Sequence, residues 1–210
     1  MKQSPALWPF MAAMVAVVSA SNFLVQYPFE HFGLGEILTW GAFTYPFGFL
    51  VTDLGNRRYG PQKARKVVVV GFVFAVILSV WLSTPRIAIA SGSAFLMAQM
   101  LDITVFDWLR RQAWWRAPLI STIIGSILDT VVFFSLAFAA TFAFLDTGLG
   151  REDGSLAFAV PFLGTDVPLW VSLGFGDLMV KLIMGFLMLL PYGALLRFLR
   201  FPDAAPARTT

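Results

Sequence analysis

The stretch Tyr45–Lys66, YPFGFLVTDLGNRRYGPQKARK, passes from apolar sequence into a knot of cations, Arg57, Arg58, Lys63, Arg65 and Lys66. Thr52, Asp53 and Asn56 lie between the two parts. A carboxylate that close to a hydrophobic run needs a physical reason, and the surrounding composition supplies one. The chain has 210 residues, 58% hydrophobic, 16% aromatic and 13% charged, with a mean hydropathy of +0.77. Soluble domains carry about 25% charged residues. Half that share, with this many rings, describes a chain whose solvent is lipid.

Working outward from that stretch, the sequence predicts an all-α membrane protein of six transmembrane helices over Leu7–Tyr27, Glu36–Leu54, Lys66–Thr84, Ile87–Leu109, Leu119–Leu145 and Leu169–Phe198. A span needs about 20 residues, so residues 1–201 form one transmembrane domain and 202–210 a mobile tail. Lys2, the apolar run behind it and Val18-Ser19-Ala20 also fit a signal peptide. The preferred reading keeps this segment as the first span. The connections alternate in charge. Lys2, the cluster at 57–66, Arg110, Arg111 and Arg116, then Arg197, Arg200 and Arg208 fall on one side, leaving Arg86, Arg151 and the intramembrane Lys181 as exceptions. Cytoplasmic loops hold the excess of Lys and Arg, so both termini are expected in the cytoplasm of a multi-pass protein. Pro46 with Gly48, and Gly174 with Gly176, predict interruptions in spans two and six that could act as hinges, and Pro191 adds another in span six.

Polar residues recur at helical spacing inside four spans. These are Asp53 and Asn56 on the Phe49 stripe, Gln99 and Asp102 followed by Phe106, Thr122, Ser126 and Asp129 followed by Phe133, and Asp177 with Lys181. At 1.5 Å per residue, Gln99 lies about 16 Å, Asp129 about 20 Å and Lys181 about 24 Å from the cationic edge, while Asp53 lies close to it. They form a column through the bundle. Each charge at the bilayer centre costs at least about 2.5–3.5 kcal/mol, so such a set must face itself or water. A purely structural reading remains for each taken singly: an Asp177–Lys181 ion pair, Asp53 paired with Arg57 or Arg58, and interhelical hydrogen bonds from Asp102 and Asp129.

The chemistry is poor for catalysis. The single histidine, His31, falls in a connection, there is no cysteine, and neither a P-loop nor a multi-histidine metal motif is present. No catalytic residue, metal, cofactor or nucleic-acid partner is expected. Carboxylates, an amide, an ammonium and aromatic faces suit a small polar ring compound. The carboxylates accept from ring N–H groups, Gln or Lys donates to a carbonyl, and Phe stacks.

Four blocks of sequence resemble the queuosine precursor transporter family. They are Pro46, Thr52-Asp53-Leu54, Asn56-Arg57, Tyr59-Gly60 and Ala64-Arg65; Gln99-Met100-Leu101-Asp102 with Val105-Phe106; Ala117-Pro118, Ser121-Thr122 and Asp129-Thr130; and Asp177, Lys181, Pro191 and Tyr192. Ser126 departs from the pattern, standing where relatives carry an amide side chain, and Ala98 stands where glycine is common. The resemblance implies a fold similar to the substrate-binding subunits of energy-coupling-factor importers. It also implies uptake of 7-deazaguanines, such as 7-cyano- or 7-aminomethyl-7-deazaguanine, across the bacterial inner membrane. Substrate binding is expected at Gln99, Asp102, Ser126, Asp129, Asp177, Lys181, Phe49 and Phe106, with Asp53 and Asn56 as an inner gate. The partners expected are this small molecule and the lipid bilayer, with a homo-oligomer allowed and no ATPase required. The alternative is a substrate-capture subunit that needs a separate ATPase.

Overall fold

The computed structural model describes residues 6–31 and 38–198. The tail and the start of the second expected span lie outside them. The elements run α1 (Trp8–Leu24), α2 (Gly41–Thr44), α3 (Pro46–Tyr59), α4 (Pro61–Leu82), α5 (Pro85–Leu109), α6 (Arg116–Phe138), a 3-10 turn at Ala140–Phe142, α7 (Phe144–Thr147), strands β1 (Ala159–Phe162) and β2 (Thr165–Pro168), and α8 (Leu169–Phe198). Helices α4, α5, α6 and α8 are each long and apolar enough to cross a membrane, which makes this a multi-pass, mostly helical membrane protein. Helix α1 is apolar but shorter, at 17 residues.

Prolines set the helix starts. Pro61 and Pro85 occupy first-turn positions in α4 and α5, where the missing N–H costs nothing and φ is already helical. Gly60, at φ 84°, makes the corner between α3 and α4, a backbone region that glycine enters without strain. Pro46 divides the second expected span, as its position predicts. The amide of Tyr45 closes on the Gly41 carbonyl, and α3 begins afresh at Pro46. The Gly174–Gly176 expectation does not hold, because α8 runs through both glycines and through Pro191. Gly174 is there for packing, since a Cβ would lie 3.3 Å from the Phe134 ring.

Helix α5 is the centre of the bundle, lying along both α4 and α6. Its buried face carries Ala88, Ala90, Gly92, Ala94 and Ala98, small residues that let helices approach where lipid offers no hydrophobic driving force. One apolar cluster joins α1, α4 and α5 through Met14, Val68 and Phe95, and another joins α3, α5 and α8 through Leu54, Phe106 and Tyr192. The β-hairpin caps one end. Its turn, Leu163–Gly164, has positive φ at both residues, as a two-residue turn matching strand twist requires, and Phe162 packs edge-on against Phe175 of α8.

We call this the hairpin end, and the end carrying the α3–α4 and α5–α6 junctions the basic end. Trp8, Trp108, Trp114 and Trp115 sit at helix termini of the basic end, and Trp40, Trp81 and Trp170 at those of the hairpin end. Indoles favour the two membrane–water interfaces, so these rows mark where the lipid begins and stops.

Two arginines assigned to connections by sequence are interior. Arg57 is 4% exposed. Its guanidinium donates to the Tyr192 hydroxyl (3.0 Å) and to the carbonyls of Arg110 (2.7 Å) and Trp114 (3.5 Å), and it stands 5.1 Å from the centre of the Phe106 ring. It ties α3 to α8 and to the α5–α6 junction. Arg86, 1% exposed, does the same at the hairpin end. It donates to the Leu136 and Ala139 carbonyls, to Ser155, and to Asp146 at 2.7 Å. Asp153, in the connection beside it, is held below the usual carboxylate range by hydrogen bonds from the Ser155 side chain and backbone amide, with a smaller contribution from Arg86.

Candidate functional site

A cavity of about 110 Å³ lies in the hairpin half of the bundle. Its walls come from the last turns of α1 (Ser21, Asn22), from α2 and the start of α3 (Gly41, Tyr45, Gly48), from α5 (Ser91, Phe95), from α6 (Asp129, Phe133) and from α8 (Asp177, Lys181). The wall is apolar apart from a few polar groups that converge on it, the usual construction of a small-molecule site.

The charged group at its edge is built from two facing helices and the Pro46 break. Lys181 on α8 donates to Asp129 Oδ2 of α6 at 2.7 Å and to Asp177 Oδ2 one turn earlier on its own helix. Thr130 donates to Asp177 at 2.9 Å. Tyr45, at the junction of α2 and α3, donates its phenolic proton to Asp129 Oδ1 at 2.7 Å, and its ring lies 5.0 Å from the Lys181 ammonium. Both oxygens of Asp129 are therefore engaged. Two carboxylates and one ammonium leave the group formally one negative charge in excess. That arrangement can accept N–H donors from a ligand while the ammonium donates to a carbonyl oxygen.

The residues expected to form the site divide into two layers. Asp129, Asp177 and Lys181 line the cavity. Gln99, Asp102, Ser126, Phe49 and Phe106 do not. Gln99 lies behind Gly48, its Oε1 accepting from Thr52 at 2.6 Å, and it reaches within 3.3 Å of where a Cβ on Gly48 would stand. Phe49 is wedged against Gly125, where a Cβ would come within 2.8 Å of the ring. Phe106 is buried under Arg57. Helical spacing groups residues on a stripe but leaves open which neighbour the stripe faces.

The deeper layer is closer to the basic end. Asp53 and Asp102 stand carboxyl against carboxyl, 2% and 0% exposed. Ser121 donates to Asp53 at a long 3.4 Å, and the Asn56 amide donates to the Ile103 carbonyl at 3.0 Å. Below this layer the Arg57–Tyr192 contacts close the bundle, with Trp114 stacked on Tyr192 at an interplanar angle of 14°.

Tyr45 and Phe133 were not picked as site residues from sequence. Tyr45 belongs to the Pro46 block and Phe133 follows Asp129 by one helical turn, so the spacing carried both signals. The polar lining from α1, Ser21 and Asn22, had no such signal, since both are neutral residues in an apolar helix.

Comparison with known proteins identifies the family. The family described as "Putative vitamin uptake transporter" matches residues 39–84 and 77–195. A "Probable queuosine precursor transporter" of Haemophilus influenzae is 35% identical over 214 residues, covering 87% of this chain and 83% of the relative. A "Queuosine precursor transporter" of Escherichia coli is 38% identical over 143 residues, covering 58% of this chain and 64% of the relative. A "Probable queuosine precursor transporter" of Bacillus subtilis is 30% identical over 146 residues, covering 56% and 63%. No solved structure matches the chain significantly. Matched across most of its length by one family, and sharing this identity with a relative of similar extent, the chain belongs to the queuosine precursor transporter family.

Proposed function

We propose that the chain is an uptake transporter for queuosine precursors in the bacterial inner membrane, with 7-cyano- or 7-aminomethyl-7-deazaguanine as substrate. The observation that carries the reading is the Asp129–Lys181–Asp177 group at the edge of an apolar cavity, in a chain of this family. A guanine-like edge presents N–H and NH₂ donors beside a carbonyl acceptor. Asp129 accepts from the donors, Lys181 donates to the carbonyl, and Phe133 or Phe95 offers the ring face. Gln99 supports the cavity floor from behind, through Gly48. Six crossings, with α2 and α3 together forming the second, put both termini and the basic end in the cytoplasm, in line with the cation distribution. The cavity then faces the periplasmic half, and the Arg57–Tyr192 contacts, with Asp53 and Asn56 above them, form the inner seal.

The test is uptake of radiolabelled 7-cyano-7-deazaguanine by proteoliposomes holding this chain alone. We expect saturable entry of unmodified compound. Entry that never saturates would indicate a channel, chemically altered product an enzyme, and no entry without an added ATPase a capture subunit; each would overturn the proposal. Asp129→Asn replaces the anionic acceptor by a neutral one. Hydrogen bonds to charged groups are worth about 1.5–3 kcal/mol, so affinity should fall at least about tenfold. Tyr45→Phe, which only releases Asp129 from its position, should weaken binding less. Isothermal titration of the purified variants checks both.

A further inference from the structure

The Asp53–Asp102 pair is not part of the cavity wall, and its surroundings are unusual for two carboxyl groups. Among the described residues, no N–H or O–H donates to either oxygen of Asp102 within normal hydrogen-bonding limits. Nearby, Asn56 Oδ1, Gln99 Nε2 and Ser126 Oγ are likewise buried and unpartnered. The groups that face the pair can be named helix by helix. Helix α3 brings Arg57, whose guanidinium is committed to Tyr192 and to two backbone carbonyls. Helix α6 brings the single hydroxyl hydrogen of Ser121, with Asp53 and the Pro118 carbonyl both within its reach. Helix α8 brings the Tyr192 hydroxyl, and Arg110 at the end of α5 donates to Asp107 and to the Arg57 carbonyl. Helix α1 has no ionisable side chain, and the cations of α4, Lys63, Arg65 and Lys66, are exposed. One guanidinium thus stands near two carboxyls, and two like charges in contact in a buried site cannot both ionise.

We infer that Asp53 and Asp102 together hold one exchangeable proton, which is carried inward with the substrate. This rests on the transport reading above. The pair lies between the two ends of the conduction path. On one side, Gly48 lines the cavity, and the single hydroxyl hydrogen of Thr52 has both the Gly48 carbonyl and Gln99 Oε1 within its reach, the latter at 2.6 Å. Asp53 follows Gly48 by about 7.5 Å of helix. On the other side, a small cavity of about 10 Å³ bounded by Pro46, Pro118, Thr122 and Tyr192 touches Asp53 directly above the Arg57 contacts. At rest the pair shares one proton and carries a single negative charge, and a second proton reaching it from the cavity neutralises it. When the Arg57–Tyr192 contacts part, one proton leaves to the cytoplasmic side and the pair returns to its single negative charge. No bond other than O–H forms or breaks, and one positive charge crosses for each proton carried.

Two measurements test this. The infrared spectrum of the purified wild-type chain at neutral pH should contain a protonated-carboxyl C=O stretch that Asp102→Asn removes, because Asp53 is then left facing Arg57 alone. Absence of that band in the wild type, or its persistence in both Asp102→Asn and Asp53→Asn, would overturn the proton site without reference to transport. In proteoliposomes clamped at zero membrane potential, an inward gradient of one pH unit should drive accumulation of 7-cyano-7-deazaguanine to about tenfold, one unit being tenfold in proton activity. The lumen should acidify as substrate enters, and a protonophore should return accumulation to unity. Uptake indifferent to the protonophore, or driven by a sodium gradient instead, would overturn coupling while leaving the transport reading standing. No uptake under any gradient would overturn the transport reading and coupling with it, and the infrared band would still decide the proton site.

Discussion

Lys181→Met is expected to abolish uptake and to destabilise the protein. The ammonium is 5% exposed and faces Asp129 and Asp177. Removing it leaves the buried Asp129 and the part-buried Asp177 with only the hydroxyls of Tyr45 and Thr130 to support them. Breaking a buried ion pair from one side costs about 3–5 kcal/mol, and the alternative of protonating both carboxyls removes the acceptor the ligand needs. Uptake should fall by a factor on the order of 100 or more, since the lost charge-assisted bonds are worth about 1.5–3 kcal/mol each. The thermal unfolding midpoint in detergent should drop with it. Adding Asp177→Asn removes one uncompensated charge and should recover part of the midpoint but none of the uptake. If stability and uptake returned together, Lys181 would be a structural cation and the substrate assignment would fail.

Arg86→Ala is expected to be as destabilising, with a different signature. Arg86 fastens the start of α5 to the last turn of α6, to Asp146 of α7 and to the connection before the hairpin. Its loss leaves Asp146 buried without its cation and two carbonyls without donors. A loss of about 3–5 kcal/mol follows by the same reasoning. Arg86→Lys should restore only part of it, because a single ammonium cannot serve carbonyl and carboxylate partners spread over a planar fork. Protein that remains folded should bind substrate normally, since Arg86 lies outside the cavity. Reduced yield with unchanged affinity per folded molecule is the expected result, read by size-exclusion chromatography together with titration.

The sequence made the column of polar residues legible because each is costly in lipid, and an apolar run advertises every exception. Asp129, Asp177 and Lys181 stood out for that reason. Their partners did not, since Lys181 and Asp129 are 52 positions apart and Tyr45 and Asp129 are 84 apart. Hydropathy also mistook interior charges for connections. Hydropathy ends the second span at Leu54, yet α3 continues to Tyr59 because Asn56 and Arg57 find their partners inside the bundle. The fifth expected span, to Leu145, overruns α6 for the opposite reason. The apolar sequence continues past Phe138, but α6 ends there, its neighbour Ala139 is extended, and a 3-10 turn follows. The hairpin at 159–168 has no counterpart in the sequence pattern. Strands of four residues with a proline in each are too short to show alternation.

The stacking of Trp114 on Tyr192 gives the basic end an optical readout of its own. The indole is 46% exposed, and its six-membered ring would lie 3.0 Å from a Cβ on Gly193, so it rests on α8 with its other face open. Parting α3 from α8 must move this ring relative to the phenol beneath it. With the remaining tryptophans replaced by phenylalanine, the emission of Trp114 alone would follow the working cycle in real time, without an attached dye.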